Sequence, residues 1–386
     1  MRTPFDVIEL VVDRCALRFG ETTAAGTCPA AGSPKCYNTW STCKALDAFT
    51  HEPESWFFCT PTSDLPKDQN WLPFLDGRNA VSHTNGSIDP GKSLGVRSSI
   101  TVRLRDHVHH ERTFDRYSSE RTAGGTFFGR LRARWPHYYG RRINWYSGFL
   151  GQSLDEMDMR TYVIERMTWD GDRVTITAKD PLKLADNDRA KAPRPSEGVL
   201  AADLAADANP GYLDILTPVP TEYDGYRVAA IGSEIIQYSG TMPIEGGVRL
   251  TGVIRQAPPP YTTEREGHDE GDSVQVCLFY DRQRPIDVVY DLLSRFAEVP
   301  PEFLPLAEWE QEYLTWLPGL TVTRLIHEPE GVRDLLDELI QQSLSTYWWD
   351  ERAKLVRFRA VRPVGPEATP PLLDDTSNLV ADSVDV

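Results

Sequence analysis

The sequence predicts a mainly β protein with α+β parts, divided into several domains. Short runs rich in β-branched and aromatic residues recur between turn-rich stretches up to about residue 282, and helical periodicity appears only after Pro285. The chain has 386 residues, of which 40% are hydrophobic and 25% charged. This length allows roughly two to four domains, and this composition is that of a folded globular protein.

The N-terminal region, residues 1–95, is predicted to combine a strand with most of the cysteines. Residues 6–15 alternate acidic and aliphatic side chains, which predicts a strand that ends at a cysteine. Residues 20–35 are mostly Gly, Ala, Thr, Ser and Pro, so they predict a loop that can bury little. The aromatic run at residues 56–59 resembles a second strand.

Residues 96–200 are predicted to form a β-rich domain. Residues 96–108 alternate polar and apolar side chains, as a half-buried strand does. An Asp-Gly turn at Gly171 joins the last two of the further predicted strands and indicates a hairpin. These further strands cover residues 142–146, 161–167 and 173–178.

The remaining chain is predicted to divide into three parts. Residues 186–210 are rich in Asp, Ala and Pro and predict a linker. Recurring short β-rich runs predict a small all-β module at 210–282, and two amphipathic helices followed by two antiparallel strands predict an α+β domain at 283–363. Residues 364–386 are Pro-rich and acidic and predict a flexible C-terminal tail.

The charge of the chain is strongly negative but unevenly distributed. A formal net charge of −16 argues against general affinity for nucleic acid, which depends on Lys and Arg. Residues 97–142 nevertheless hold eleven Arg and only four acidic residues. These arginines either solvate exposed strand faces or form a basic surface for an acidic partner, which could be a second copy of this chain. No run approaches the roughly 20 apolar residues of a membrane helix, and no secretory signal is evident.

Four of the six cysteines, Cys15, Cys28, Cys36 and Cys43, fall in or beside the N-terminal loop. Twelve, seven and six residues separate them, a spacing wider than the two to four residues typical of zinc sites but open to iron–sulfur clusters. The alternatives are a metal centre, a disulfide formed after release from the cell, and reduced thiols. Because the loop has almost no core of its own, we favour a metal centre, which supplies folding free energy directly.

The other candidate residues give weaker indications. Cys59 is a possible fifth ligand but is typical of a small buried residue, and Cys277 is expected in the core. His107 and His109 would share one face of a strand, although such residues are usually interface or solvent groups. Neither a His-Glu-x-x-His motif nor a Gly-x-Gly-x-x-Gly fingerprint occurs in the sequence. We therefore predict no catalytic residue.

Several segments resemble one family. The resemblance is to the tail-tip hub proteins of long-tailed bacteriophages and gene transfer agents, and it extends from about residue 7 to about residue 363. The segments that carry it are 36–43 (CYNTWSTC), 94–107, 125–134 (GTFFGRLRAR), 179–188 (KDPLKLADND), 231–240 and 250–255.

This resemblance implies a multidomain phage tail hub with β-barrel-like hub domains and a cysteine-bound cluster insertion. The cofactor it implies is an iron–sulfur cluster of the 4Fe–4S type, held by Cys15, Cys28, Cys36 and Cys43. The implied protein is a structural, non-enzymatic homotrimer around the tail axis. It would join the tail tube and the distal tail protein to the central tip or fibre protein that binds the receptor, with the tape measure protein as a further neighbour.

The implied location is the virion, where the tail tip serves host cell entry after assembly in the host cytoplasm. Two other functions stay open at this point. One is an iron–sulfur redox enzyme, and the other is a cell-wall hydrolase carried on the virion.

Overall fold

The computed structural model describes most of the chain. The described residues are 3–62, 65, 70–77, 79–89, 92–96, 98–110, 114–121 and 124–361, without the side chains of 87–89 and 92–96. The tail expected at 364–386 lies outside them. Strands make up 38% and helices 20%, so the expectation of a mainly β protein is confirmed.

The described residues up to 180 form one large sheet, two small hairpins and one helix. The helix is α1, Phe127–Arg134, and short 3₁₀ turns occur at Trp40–Thr42, Leu46–Ala48, Ser118–Glu120 and Leu154–Glu156. The strands are β1 Pro4–Cys15, β2 Thr22–Thr23, β3 Gly26–Thr27, β4 His51–Cys59, β5 Trp71–Leu72, β6 Val81–Thr84, β7 Ser87–Asp89, β8 Lys92–Val96, β9 Ser99–Arg105, β10 Arg142–Phe149, β11 Asp158–Asp170 and β12 Arg173–Lys179.

Eight of these strands form one sheet in the order β5-β4-β1-β10-β11-β12-β9-β6. The chain that follows β5 closes this sheet on itself. The Leu75 N–H donates to the Cys59 carbonyl in β4 at 3.0 Å, while the Arg105 N–H in β9 donates to the Phe74 carbonyl at 2.7 Å. Alternate residues of the strands, such as Ile8, Val102 and Ile176, point inward and are fully buried in one core.

Helix α1 adds Phe127, Phe128 and Leu131 to this core. Its first turn is held by Asp106, whose carboxylate accepts hydrogen bonds from the Phe128 N–H at 2.9 Å and the Thr126 hydroxyl at 2.6 Å. Strand β9 ends at Arg105, and the next residue, Asp106, donates its backbone N–H to the Asp172 carbonyl in the turn between β11 and β12 at 2.6 Å. The expectation of a strand over residues 96–108 is therefore wrong at its end, and with it the idea that His107 and His109 share a strand face.

Residues 181–361 contain smaller sheets and three helices. The helices are α2 Pro285–Asp291, continued by a π-helical segment Leu292–Phe296, α3 Leu306–Trp316 and α4 Val332–Gln342, with 3₁₀ turns at Pro181–Asp186, Pro220–Tyr223 and Pro301–Phe303. The strands are β13 Lys191–Ala192, β14 Val199–Leu200, β15 Tyr212–Leu216, β16 Val228–Ile231, β17 Glu234–Gln237, β18 Gly240–Ile244, β19 Gly247–Thr251, β20 Val274–Gln283, β21 Val322–Ile326, β22 Glu330–Gly331, β23 Ser345–Asp350 and β24 Leu355–Ala360.

Two four-stranded sheets, β14-β15-β19-β18 and β17-β16-β20-β21, cover the region predicted as a small all-β module at 210–282. Strand β14 lies before the predicted start of that module, and β21 lies after its predicted end. Strand β21 follows α3, however, so this module and the helical part share one sheet. They also share one core, which runs from Leu182 to Phe358. Residues 186–210 are not a linker with little to pack, because Ala190, Ala192 and Leu200 are at most 4% exposed in that core.

The two cores meet through the β7–β8 hairpin and the turn between β23 and β24. The hairpin lies against α4 and β23. Glu351 in the turn contacts the large sheet, where it accepts a hydrogen bond from the Tyr162 hydroxyl at 3.3 Å and lies 3.4 Å from His83 Nε2.

Candidate metal centre

The candidate cysteines lie on a long loop that leaves and re-enters the large sheet at one position. Cys15 is the last residue of β1 and pairs with His51, the first residue of β4. The 35 residues between them form an excursion closed by the sheet, and they contain Cys28, Cys36 and Cys43.

Asn38 ties the middle of this loop to the end of β1. Its carbonyl accepts the Cys15 N–H at 2.8 Å, and its side-chain amide donates to the carbonyls of Cys15 at 3.3 Å and Leu17 at 3.0 Å. Asn38 has a φ of 59°, a conformation that Asn tolerates better than most residues. The Asn38 backbone therefore brings the segment that carries Cys36 and Cys43 next to Cys15.

The four thiols lie close enough to interact electrostatically. Burial raises the pKa of the Cys36 thiol, a backbone hydrogen bond from Asn38 opposes this, and the negative charges of Cys43, Cys28 and Cys15 raise the pKa further. Cys43 Sγ in turn accepts the Ala45 N–H at 3.4 Å. The fold thus places Cys15, Cys28 and Cys43 within electrostatic range of Cys36.

Aromatic residues and cations surround this place. Cys28 and Cys36 pack against Phe19 and Tyr117, and the Tyr117 hydroxyl accepts the Phe19 N–H at 2.7 Å. The ammonium of Lys44 lies 5.6 Å from the centre of the Phe19 ring. These contacts give the loop a small core, with the Lys44 ammonium over one of its rings.

Arg121 is the main tether of the Cys36 segment. Its guanidinium donates to the carbonyls of Lys35 at 3.0 Å and Cys36 at 2.7 Å, pairs with Asp115, and stacks at 3.6 Å from the centre of the Tyr37 ring. Arg121 belongs to the basic segment 97–142, so part of that segment supports the cysteine loop.

Sequence reasoning missed both Asn38 and Arg121 as supports of the site. The Cys-Tyr-Asn-Thr run offered a signal for Asn38, since Asn favours tight turns. For Arg121, which lies 85 residues from Cys36, no local signal exists.

In the arrangement described, no three His, Cys, Asp or Glu side chains of the described residues are placed to hold a single metal ion. Two thiolates on one zinc ion lie at most about 4.6 Å apart, since each Zn–S bond is about 2.3 Å. In a cluster each cysteine binds a separate iron, so wider spacing is required.

Cys59 and Cys277 lie elsewhere. Cys59 pairs with Val7, eight residues along β1 from Cys15, which corresponds to about 26 Å of extended strand. It is fully buried, and burial raises its pKa to about 12. Cys277 is also buried, with its pKa raised to about 12 for the same reason, so both cysteines are core residues.

The clustered histidines are held by aromatic contacts. His107 stacks on Phe74 with ring centres 4.2 Å apart, and His109 lies 4.6 Å from His110. Burial lowers the pKa of His109, and the neighbouring positive charges of His110, His107 and Arg130 lower it further.

The fold and this site define a β-rich protein of two cores with a thiol-lined loop at one end of its large sheet. No protein-family model matches the chain, and no curated protein is significantly similar to it. Among the residues described, no helix combines the length and the apolar character needed to cross a membrane.

Proposed function

We propose that this chain is a structural hub of a phage tail tip, with an iron–sulfur cluster that staples its N-terminal loop. The observation that carries the proposal is the convergence of Cys15, Cys28, Cys36 and Cys43 on one loop. In the proposed assembly the protein is a homotrimer around the tail axis, located in the virion. It links the tail tube and distal tail protein to the central tip or fibre protein.

The chemistry of the four side chains fits a cluster of the 4Fe–4S type. Four thiols are available, and thiolates are the ligands of such clusters. When bound, a cluster would join four distant points of a loop whose own core is small, and this bonding contributes directly to folding.

The architecture supports a hub. A sheet closed on itself is the arrangement expected of barrel-like hub domains, and the second core adds a separate β module. Exposed apolar side chains on the cysteine loop, Trp40 at 47% and Leu46 at 46%, offer contact area to neighbouring tail proteins.

The cluster is tested with protein purified without oxygen. We expect brown protein with broad visible absorption, and about four irons and four acid-labile sulfides per chain. The Cys36→Ser/Cys43→Ser variant should lose both, whereas the matched Cys59→Ser/Cys277→Ser variant should keep both. Absorption that survives in the first variant would contradict the ligand set.

The hub role is tested separately, by analytical ultracentrifugation and by mixing with the distal tail and tip proteins of the same particle. We expect a trimer that binds both. A protein that stays monomeric and binds neither would refute the hub.

A further inference from the structure

One face of the large sheet presents arginines and hydroxyl side chains to solvent. On β9, β11 and β12 the apolar residues point into the core, so the alternate positions point outward. We call the following outward residues the cationic sheet face: Thr101, Arg103, Arg105, Arg166, Thr168, Asp170, Arg173, Thr175 and Thr177. Asp170 is the one acidic residue among them and lies opposite Arg173.

Two arginines of this face are unpaired. Asp76 pairs with both Arg105 and Arg173, at 2.5 and 3.4 Å. Arg103 and Arg166 are exposed and have no ion-pair partner within the described part of the chain. In a chain with 57 acidic and only 41 basic residues, solvent-facing arginines left without carboxylates indicate a contact that the single chain does not complete.

The second core carries the opposite charge on two adjacent loops. These loops, which we call the acidic loop pair, cover residues 203–207 and 264–272, and the Leu204 and His268 backbones join them. Arg265 is the one exposed basic residue of these two loops. Seven exposed acidic residues face solvent there: Asp203, Asp207, Glu264, Glu266, Asp269, Glu270 and Asp272.

A buried arginine fixes the shape of the acidic loop pair. Arg255, whose side chain is fully buried, donates to both oxygens of Glu234 at 2.8 and 2.6 Å. It also donates to the carbonyls of Ala205 in one loop, of Ala208 directly after that loop, and of Glu266 in the other loop. Because both loops are anchored in advance, little conformational entropy is lost when they bind a partner.

We propose that the cationic sheet face of one copy receives the acidic loop pair of the next copy. The two surfaces lie on different cores and carry opposite charge, so the contact is heterologous, and a rotation that closes makes it a ring. The inference rests on the trimer of the proposed function and identifies its subunit contact. Charge complementarity of this kind speeds association and weakens with salt.

A charge-swap experiment tests the contact by sedimentation of the full chain at low and high salt. R103E/R166E and D269K/E270K should each weaken trimer formation at least about tenfold, because like charges then face each other. The combination of all four substitutions should restore association. R189E/R282E, which reverses two exposed arginines outside the face, should assemble as the wild type does.

The outcomes separate the two proposals. If both double variants form the trimer as the wild type does, or if the combined variant does not restore trimer formation, this contact is overturned but the hub proposal is not. A monomeric wild type overturns both. Double-stranded DNA that binds the wild type but not R103E/R166E, with assembly unchanged, would assign the face to nucleic acid and overturn the contact.

Discussion

Replacement of Arg255 by Met should destabilise the second core more than any surface substitution in the β module. Met fills a similar volume but leaves the carboxylate of Glu234, 1% exposed, without its cation. The Glu266 N–H at 2.9 Å and His268 Nε2 at 3.0 Å still contact that carboxylate. Removal of one partner from a buried ion pair costs about 3–5 kcal/mol, a large part of a typical stability of about 5–15 kcal/mol.

The assay is urea unfolding, combined with hydrogen exchange to localise the effect. Exchange should accelerate at residues 203–208 and 264–272, whose carbonyls lose the Arg255 donors. Arg249→Met is the matched control, because Arg249 also binds an acidic residue, Asp214, through two hydrogen bonds but lies at the surface. Arg249→Met should lower the free energy of unfolding far less than Arg255→Met does, since solvent screens the Arg249–Asp214 pair.

A second variant tests the reason for the loss. Arg255→Met combined with Glu234→Leu removes the orphaned charge and should recover part of the stability. The reasoning is refuted if Arg255→Met costs no more than Arg249→Met, or if the double variant is no more stable than the single one.

Three further outcomes are expected. Burial raises the pKa of Glu234, but hydrogen bonds from Arg255, Glu266 and His268 have the larger effect and hold this pKa below its usual value. The ionised carboxylate of Glu234 therefore stabilises the folded protein fully above about pH 4.3, and this stabilisation is lost as the pH falls further. Acid titration of unfolding should therefore be less steep in Glu234→Gln, and an unchanged slope would contradict this. Cys59→Ser buries a hydroxyl at a fully buried position and should cost about 1–3 kcal/mol in a thermal unfolding assay, with the cluster absorption unchanged. Trp309→Phe removes the indole donor to the Val356 carbonyl at 2.8 Å and should cost about 1–3 kcal/mol by the same assay, and an unchanged melting temperature would contradict this.

Strands and amphipathic helices were predictable where one face of the element is consistently apolar. Helix α4 buries Val332, Leu335, Leu336, Leu339 and Ile340 and was predicted from that pattern. Helix α3 was not predicted. Only Trp309 and Tyr313 of its 11 residues are buried, so its sequence carries too weak a periodicity.

The predicted linker at 186–210 shows a different limit. Its Ala residues suggested little to pack, but Ala190 and Ala192 are buried in the second core, at 4% and 0% exposure. Its carbonyls also receive hydrogen bonds from Arg255, about 50 residues away. Contacts at that separation leave no local signal in the sequence.

The candidate site was predictable in its residues but not in its geometry. The spacing of the cysteines in the sequence could not show that Cys59 lies away from Cys15, Cys28, Cys36 and Cys43. The register of β1 against β4 does so, because it pairs Cys59 with Val7 and Cys15 with His51. Strand register depends on the whole sheet, so this distinction required the fold.

The way the cysteine loop is attached has an evolutionary consequence. The loop begins and ends at one cross-strand pair, Cys15 and His51, so the chain leaves and returns at neighbouring backbone positions. Loop-closure entropy rises by only about 0.6 kcal/mol for each doubling of length. An ancestral chain could therefore have gained this loop, or a descendant could lose it, with a short hairpin in its place and without a shift of β1 against β4. Such a change would still leave Tyr117, Arg121 and the Arg134 carbonyl without the partners that the loop gives them.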